Sequence, residues 1–535
     1  MGHALGPGQR RPCRRDTDGS RCRREDRLKV PRARCASSPD EQGWRLVRSD
    51  DVTPALVAGI DSSTQATKVV VCDAGTGEVV REARAPHPDG TEVDPERWWE
   101  ALRAATSDGI LDGVSAVGVG GQQHGMVALD EDGQVLRPAL LWNDTRSAGA
   151  AGDLVSDLGG PEQWVDAVGS VPVAALTVTK LRWLAEHEPE TAARVAEVVL
   201  PHDWVTARLR GADRVRPGTA RTDRGDASGT GYWSPHEDRY RLDILRLALG
   251  RDVGLPPVVG PADTVGEAPG GMLVSAGTGD NMAAALGLGL EPGDVVVSLG
   301  TSGTAFAVHD RPAADPTGAV AGFADASGRF LPLVCTLNAA RVLTAAATML
   351  GTDLAGLERL AQQSAPGAGG LVLLPYLDGE RTPDLPFASG TLGGLRRGNA
   401  TPENLARAAV EGMLCGLADG VDALTAQGVP VRRVLLIGGA ARSTAVQVVA
   451  QNLFGVPVDV PPPGEYVALG AARQAAWAVA AQRGQAELPA WSHRPAVSLR
   501  PDDPAAGTRV REQYQALRTA VHPTTRREGR SEPAT

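Results

Sequence analysis

Two adjacent side chains, Asp280 and Asn281, follow the small-residue run Ser275-Ala-Gly-Thr-Gly279 and lead into an Ala-rich helical stretch from Met282 to Leu290. Residues without a bulky side chain let a ligand come close to the backbone. A carboxylate where such a run meets a helix N-terminus lies at a mouth and can accept a proton from an alcohol. An Asp at the same junction also serves as an ordinary N-cap. A second carboxylate, Asp61, ends the apolar run Ala55-Leu-Val-Ala-Gly-Ile60. It is placed to reach Mg²⁺ through water, or to brace the turn that follows. Gln123 and His124 come just after a third apolar run, Val114 to Gly120, and offer hydrogen bonds to a polyol. His124 taken alone reads more readily as a structural histidine.

Three turns could handle phosphate. Asp61 to Thr64 and Gly300 to Thr304 present backbone N–H groups and hydroxyls, which form anion-binding nests. Facing each other, they would grip a polyphosphate from both sides. The Gly438-Gly439 turn, between a strand and a helix, leaves room for a nucleotide's ribose and base. Transfer of a phosphoryl group needs alignment, a metal ion to neutralise charge, and a base for the alcohol's proton. The chain offers a residue for each role. A P-loop is excluded, because none of its three lysines (29, 68 and 180) follows a glycine.

The elements needed to position these residues are legible. Ala55–Asp61 and Thr67–Asp73 read as a strand pair, with Glu78–Ala85 as a third strand. Asp94 and Pro95 open a helix through Trp98, Trp99, Leu102 and Ala105, and Val114–Gly120 is a further strand. Arg214 to Tyr232 lacks apolar periodicity and is expected to be a long loop with a functional surface. The plan then recurs: Asp294–Val308 is strand, small-residue turn, strand. Later come a helix over Pro402–Ala426, a strand over Arg433–Ile437, and helices opening at Ser443 and Tyr466. Two halves of like plan predict a duplicated α/β architecture with the ligand cleft between them.

Length and charge bound the alternatives. The chain has 535 residues, enough for two substantial domains. Its net charge is −10, but residues 1–35 carry +7 and the remainder about −17. That acidic body argues against nonspecific nucleic-acid binding, and no nucleic-acid partner is expected. No apolar run reaches the length of a membrane span. Six cysteines without a C-x-x-C spacing suit free thiols in a reducing cytoplasm. Residues 1–54 read as a disordered Arg-rich extension without the apolar core of a secretory signal, and 523–535 as a disordered tail.

Taken together, the motifs resemble the FGGY carbohydrate kinases of the actin/hexokinase superfamily, with a ribonuclease H-like fold, and most closely the bacterial xylulokinase branch. Ile60-Asp61-Ser-Ser-Thr-Gln-Ala-Thr-Lys68 is similar to the first phosphate hairpin, and Gln122-Gln123-His124-Gly125 to the sugar-binding turn. Leu141-Trp-Asn-Asp-Thr-Arg146, Thr177–Trp183 and Gly225-Asp226-Ala-Ser-Gly-Thr230 have counterparts as well. So do Gly279-Asp280-Asn281, Ser298–Gly303, Leu374–Pro383 and Gly438–Ser443. The resemblance implies a domain over 55–290 for sugar and the first phosphate hairpin, and one over 291–522 for nucleotide. It implies ATP-dependent phosphorylation of D-xylulose with Mg²⁺; the alternatives are another kinase of the family acting on ribulose, gluconate or glycerol, or a non-catalytic sugar- or nucleotide-binding protein of the same fold. Asp280 would be the proton acceptor and Asp61 would serve the metal-phosphate centre. Gln123, His124, Asp280 and Asn281 would bind sugar. Ser63, Thr64, Lys68, Gly300, Thr301, Gly439, Ala440 and Ser443 would lie with the nucleotide. A homodimer is compatible with this, although the Gly-, Ala- and Pro-rich surfaces carry no dimer signature. Four positions depart from the common pattern: Ser63 and Ala440 replace glycines, Gln123 replaces a Met, and Thr179 a Pro.

Overall fold

A computed structural model describes residues 55–491 and 494–523. The expected disordered extension 1–54 and nearly all of the tail 523–535 lie outside the described residues. The first half starts with a strand pair, β1 (Leu56–Ser62) and β2 (Ala66–Asp73), followed by β3 (Val79–Pro86). Helix α1 (Glu96–Ala105) starts one residue later than expected: Pro95 takes the cap position, while Asp94 still accepts the Glu96 N–H at 3.0 Å. Strand β4 (Val114–Gly121) comes next, then α2 (Pro201–Leu209) and α3 (Arg224–Ser228). Strands β5 (Thr264–Glu267), β6 (Leu273–Ser275) and β7 (Thr278–Gly279) lead into α4 (Asp280–Leu288).

Helix α3 corrects the expected loop over Arg214–Tyr232, within which a two-residue strand, Thr222–Asp223, also forms. Asp223 caps the helix, accepting the Gly225 and Asp226 N–H groups. The segment shows no apolar periodicity because it is only five residues long and is packed on most sides, so no solvent face exists to alternate with.

In the first sheet β1 is central, antiparallel to β2 and parallel to β4. Its apolar side chains are buried on both faces, as a continuous apolar run requires. Register does the positioning. Asp61 and Thr278 both pair with Gly120, so Asp61 and Asp280 emerge at the same end of the sheet with one strand between them.

The second half repeats the arrangement. Strands β8 (Asp294–Leu299), β9 (Gly303–Ala307), β10 (Ala321–Ala324) and β11 (Phe330–Thr336) precede α5 (Pro402–Ala426). Then come β12 (Arg433–Ile437), α6 (Thr444–Leu453), β13 (Val458–Val460), α7 (Tyr466–Gln482) and β14 (Val497–Leu499). The seven strands run β10-β11-β9-β8-β12-β13-β14, with β8 parallel to β12 and antiparallel to β9.

Helix α7 belongs to the second half by sequence but packs against the first sheet. Ala468, Ala472, Ala475 and Ala476 bury Val57, Val70, Cys72 and Ala116. The approach is very close: a Cβ on Gly59 would stand 1.7 Å from the Ala468 carbonyl oxygen, and one on Gly470 1.8 Å from that of Ala283 in α4. Glycine at 59 lets α7 lie directly on β1, and glycine at 470 lets α4 and α7 cross backbone to backbone.

Candidate active site

The junction of β7 and α4 places Asp280 at the first helical position, half-buried, with Gly279 as the cap. Its Oδ1 accepts both the Asn281 backbone N–H (2.8 Å) and the Asn281 Nδ2 (2.9 Å). Oδ2 is left without a side-chain partner among the described residues. Burial, with help from the nearby Asp61 and Asp226 charges, raises the Asp280 carboxyl to about 7. That is where a general base gains most, because near neutral pH a good share of it is ionised and it is still basic. Asn281 also donates from Nδ2 to Gln123 Oε1 at 3.0 Å, which ties the turn before α4 to the turn after β4. Gln123 keeps its buried Nε2 without a protein partner, a donor available to a hydroxyl.

His124 has φ of 69°, a left-handed backbone that costs a non-glycine residue energy and clusters at functional sites. Its Nδ1 lies 2.7 Å from the Gly229 carbonyl oxygen, which can only accept, so Nδ1 carries the proton and Nε2 is an acceptor. Burial drives the ring down to about 3, so it is neutral. A neutral imidazole with a free acceptor suits a sugar hydroxyl. The ring also packs against Phe323 of β10, which brings the second sheet to this site.

At the end of β1, Asp61 is fully buried. Its Oδ1 accepts from Ser63 Oγ at 2.5 Å, and its Oδ2 faces Lys68 Nζ at 3.1 Å. Burial raises its carboxyl, although Lys68 and Ser63 work in the other direction. Lys68 makes a second ion pair, 2.7 Å to Glu465, the residue capping α7. Thr64 links the hairpin to the sugar turn: its Oγ1 accepts from Trp142 Nε1 (2.9 Å) and donates to Gln122 Oε1 (3.4 Å). The structure therefore gathers Asp61, Ser63, Thr64, Lys68, Gln123, His124, Asp280 and Asn281 at one end of the first sheet.

The remaining expected residues gather at the matching end of the second. Gly300 and Thr301 follow β8, while Gly439 and Ala440 open a 3₁₀ turn after β12. Gly438 must be glycine here: its φ is 92°, and a Cβ would lie 2.6 Å from the Leu299 oxygen. Ser443 stands farther along as the cap residue of α6, without a side-chain cap bond. Its N–H bonds the Ala440 oxygen at 3.1 Å.

Sequence reasoning missed Glu465 and the buried His202, whose roles depend on partners remote in the chain. Asp223 and Thr278 also escaped notice, although Thr278 Oγ1 donates to Asp223 Oδ2 at 2.7 Å just two residues before Asp280.

Residues 56–287 match the N-terminal domain, and residues 295–479 the C-terminal domain, of the FGGY family of carbohydrate kinases. The chain belongs to this family. The xylulose kinase of Streptomyces coelicolor is 50% identical over 453 residues, covering 82% of this chain and 91% of that protein. That of Streptomyces rubiginosus is 49% identical over 437 residues, covering 79% and 87%. The crystal structure of xylulose kinase from Bifidobacterium adolescentis superposes with a TM-score of 0.80 at 44% identity, covering 87% of this chain and 99% of that one. The fold is thus the two-domain mixed α/β fold of FGGY kinases, and the activity is ATP-dependent phosphorylation of a sugar. Among the described residues no helix is long and apolar enough to cross a membrane.

Proposed function

We propose that this FGGY kinase transfers the γ-phosphoryl group of ATP to D-xylulose, giving D-xylulose 5-phosphate. The single observation that carries the mechanism is Asp280, its Oδ2 free, raised to about 7 and tied through Asn281 to Gln123. Gln123 Nε2, His124 Nε2 and Asn281 orient the sugar so that its terminal hydroxyl points at Asp280. The carboxylate takes that proton as the oxygen attacks phosphorus, so the nucleophile carries no premature charge. Ser63, Thr64 and Lys68 on one side, with Gly300 and Thr301 on the other, receive the phosphates. Gly439, Ala440 and Ser443 lie with the nucleoside.

The residues present fit a magnesium ion. Asp61 supplies hard oxygen donors, and burial raises its carboxyl, a strain that a nearby dication relieves. With Lys68 already 3.1 Å from Asp61, the ion would be met through water, as Asp61's position at the hairpin suggests. When bound, Mg²⁺ neutralises phosphate charge.

The choice of sugar is carried by the two Streptomyces relatives. It is tested by a coupled ADP-release assay of the purified protein across D-xylulose, ribulose, gluconate and glycerol. The highest kcat/KM is expected with D-xylulose; a higher value with any of the others overturns this assignment while leaving the kinase chemistry in place.

A further inference from the structure

Behind the sugar turn lies a buried ionic cluster that the phosphoryl-transfer chemistry does not use. His202 and Asp203 open α2, and Asp223 and Asp226 open α3; all four are at most 2% exposed. His202 Nδ1 is 2.6 Å from Asp226 Oδ2 and 3.3 Å from Asp203 Oδ1. Burial alone would strip the imidazole of its proton, but Asp203, Asp226 and Asp223 carry it up to about 9, so it is the cluster's cation. Burial raises all three carboxyls, and the His202 charge opposes that rise in each.

Such a cluster is a poor way to stabilise a core. His202 Nε2, Asp203 Oδ1 and Asp226 Oδ1 are buried without a hydrogen-bond partner, which is costly, and apolar residues of like size usually do as well as a buried ion pair. What the cluster delivers is geometry. The His202 ring is wedged beneath the site: a Cβ on Gly121, at the end of β4, would meet the His202 Cβ at 2.7 Å, and one on Gly277 would meet its Cδ2 at 2.7 Å. Helix α3 is too short to persist by itself. Yet its two ends hold both halves of the sugar site. At the start, Asp223 takes the Thr278 hydroxyl, two residues from Asp280. At the finish, the Gly229 carbonyl takes His124 Nδ1.

We propose that the His202–Asp226 ion pair is a positioning device for the reaction: it pins α3, whose ends fix the separation between the sugar-orienting imidazole of His124 and the carboxylate of Asp280. Neither residue touches the substrates. The inference rests on the roles given above to Asp280 and His124.

The test compares steady-state kinetics with D-xylulose and ATP, together with thermal melts, for His202→Ala, His202→Asn, Asp226→Asn and Asp280→Asn. His202→Ala should lower kcat/KM for the sugar ~10- to 100-fold, the scale of a misplacement near 1 Å, while KM for ATP stays within about twofold. His202→Asn restores an N–H donor close to the Nδ1 position and should recover part of that loss. Asp226→Asn keeps an acceptor oxygen without its charge and should fall between wild type and His202→Ala. If His202→Ala does not fold, the remaining pair carries the comparison. A lowered melting temperature with sugar kcat/KM within about twofold of wild type in Asp226→Asn and His202→Asn means a merely structural role and overturns the proposal. An inactive Asp280→Asn beside such unaffected variants rejects this inference alone. An active Asp280→Asn removes the base assignment and this inference with it.

Discussion

As the proposed general base, Asp280 must satisfy two opposed demands. It needs a carboxylate basic enough to take an alcohol proton, and basicity is raised here by burial and by the Asp61 and Asp226 charges. The same surroundings make its ionised form costly in the folded protein. Catalysis should therefore fall as pH drops through about 7, where Asp280 takes up a proton, and a kcat–pH profile checks this. An acid limb near 4 would contradict it. Stability should move the other way. The folded value lies above the ordinary 3.8, so the folded state binds the proton more tightly than the unfolded chain. The stabilisation this gives is complete below 3.8 and is lost as pH rises through about 7. Asp280→Asn escapes that loss, so its melting temperature relative to wild type should rise between pH 5 and pH 8. Parallel melting curves across that range would show that the carboxyl is not strained. At this scale the sequence was informative about placement wherever a candidate residue follows directly on a strand, as for Asp61, Gln123 and Asp280, which lie at one end of the first sheet. It was silent on Lys68's second partner, because Glu465 lies nearly 400 positions away and only the packing of α7 on β1 brings it back.

Secondary-structure elements position these residues mainly through close approach. α4, which carries Asp280 at its first position, crosses α7 where Gly287 and Gly470 face backbone atoms: a Cβ on Gly287 would stand 2.0 Å from the Tyr466 oxygen. Gly470→Ala should accordingly destabilise the protein by about 1–3 kcal/mol, the range for overpacking a tight interface. It should also lower kcat, because α4 can move only by shifting Asp280. A Gly470→Ala protein with wild-type melting and turnover would show that the crossing is slack. Helices with caps and long apolar stripes could be read to within a residue or two: Pro402–Ala426 matched, and α1 shifted by one. α3 could not. Five residues hold too little periodicity to register, and its buried polar side chains mimic those of an exposed loop.

On the scale of the whole molecule, one plan is used twice. In each half a parallel pair of strands, β1 with β4 and β8 with β12, ends in turns at one end of its sheet. The residues proposed for sugar and phosphate collect at that end of the first sheet, and those proposed for nucleotide at that end of the second. That recurrence was visible in the sequence as two strand–turn–strand motifs of similar composition. What the sequence could not show is how the halves are joined, since α7 crosses from one half to lie on the other's sheet and its Glu465 cap meets Lys68 of the first hairpin. The central claim is that this architecture presents one carboxylate, Asp280, to the hydroxyl being phosphorylated. The most direct measurement is turnover of Asp280→Asn, with the dissociation constants of sugar and ATP measured on the same protein. A fall in kcat of ~10²–10⁴-fold with both affinities changed less than about tenfold is the expected result. Turnover within about tenfold of wild type would contradict it.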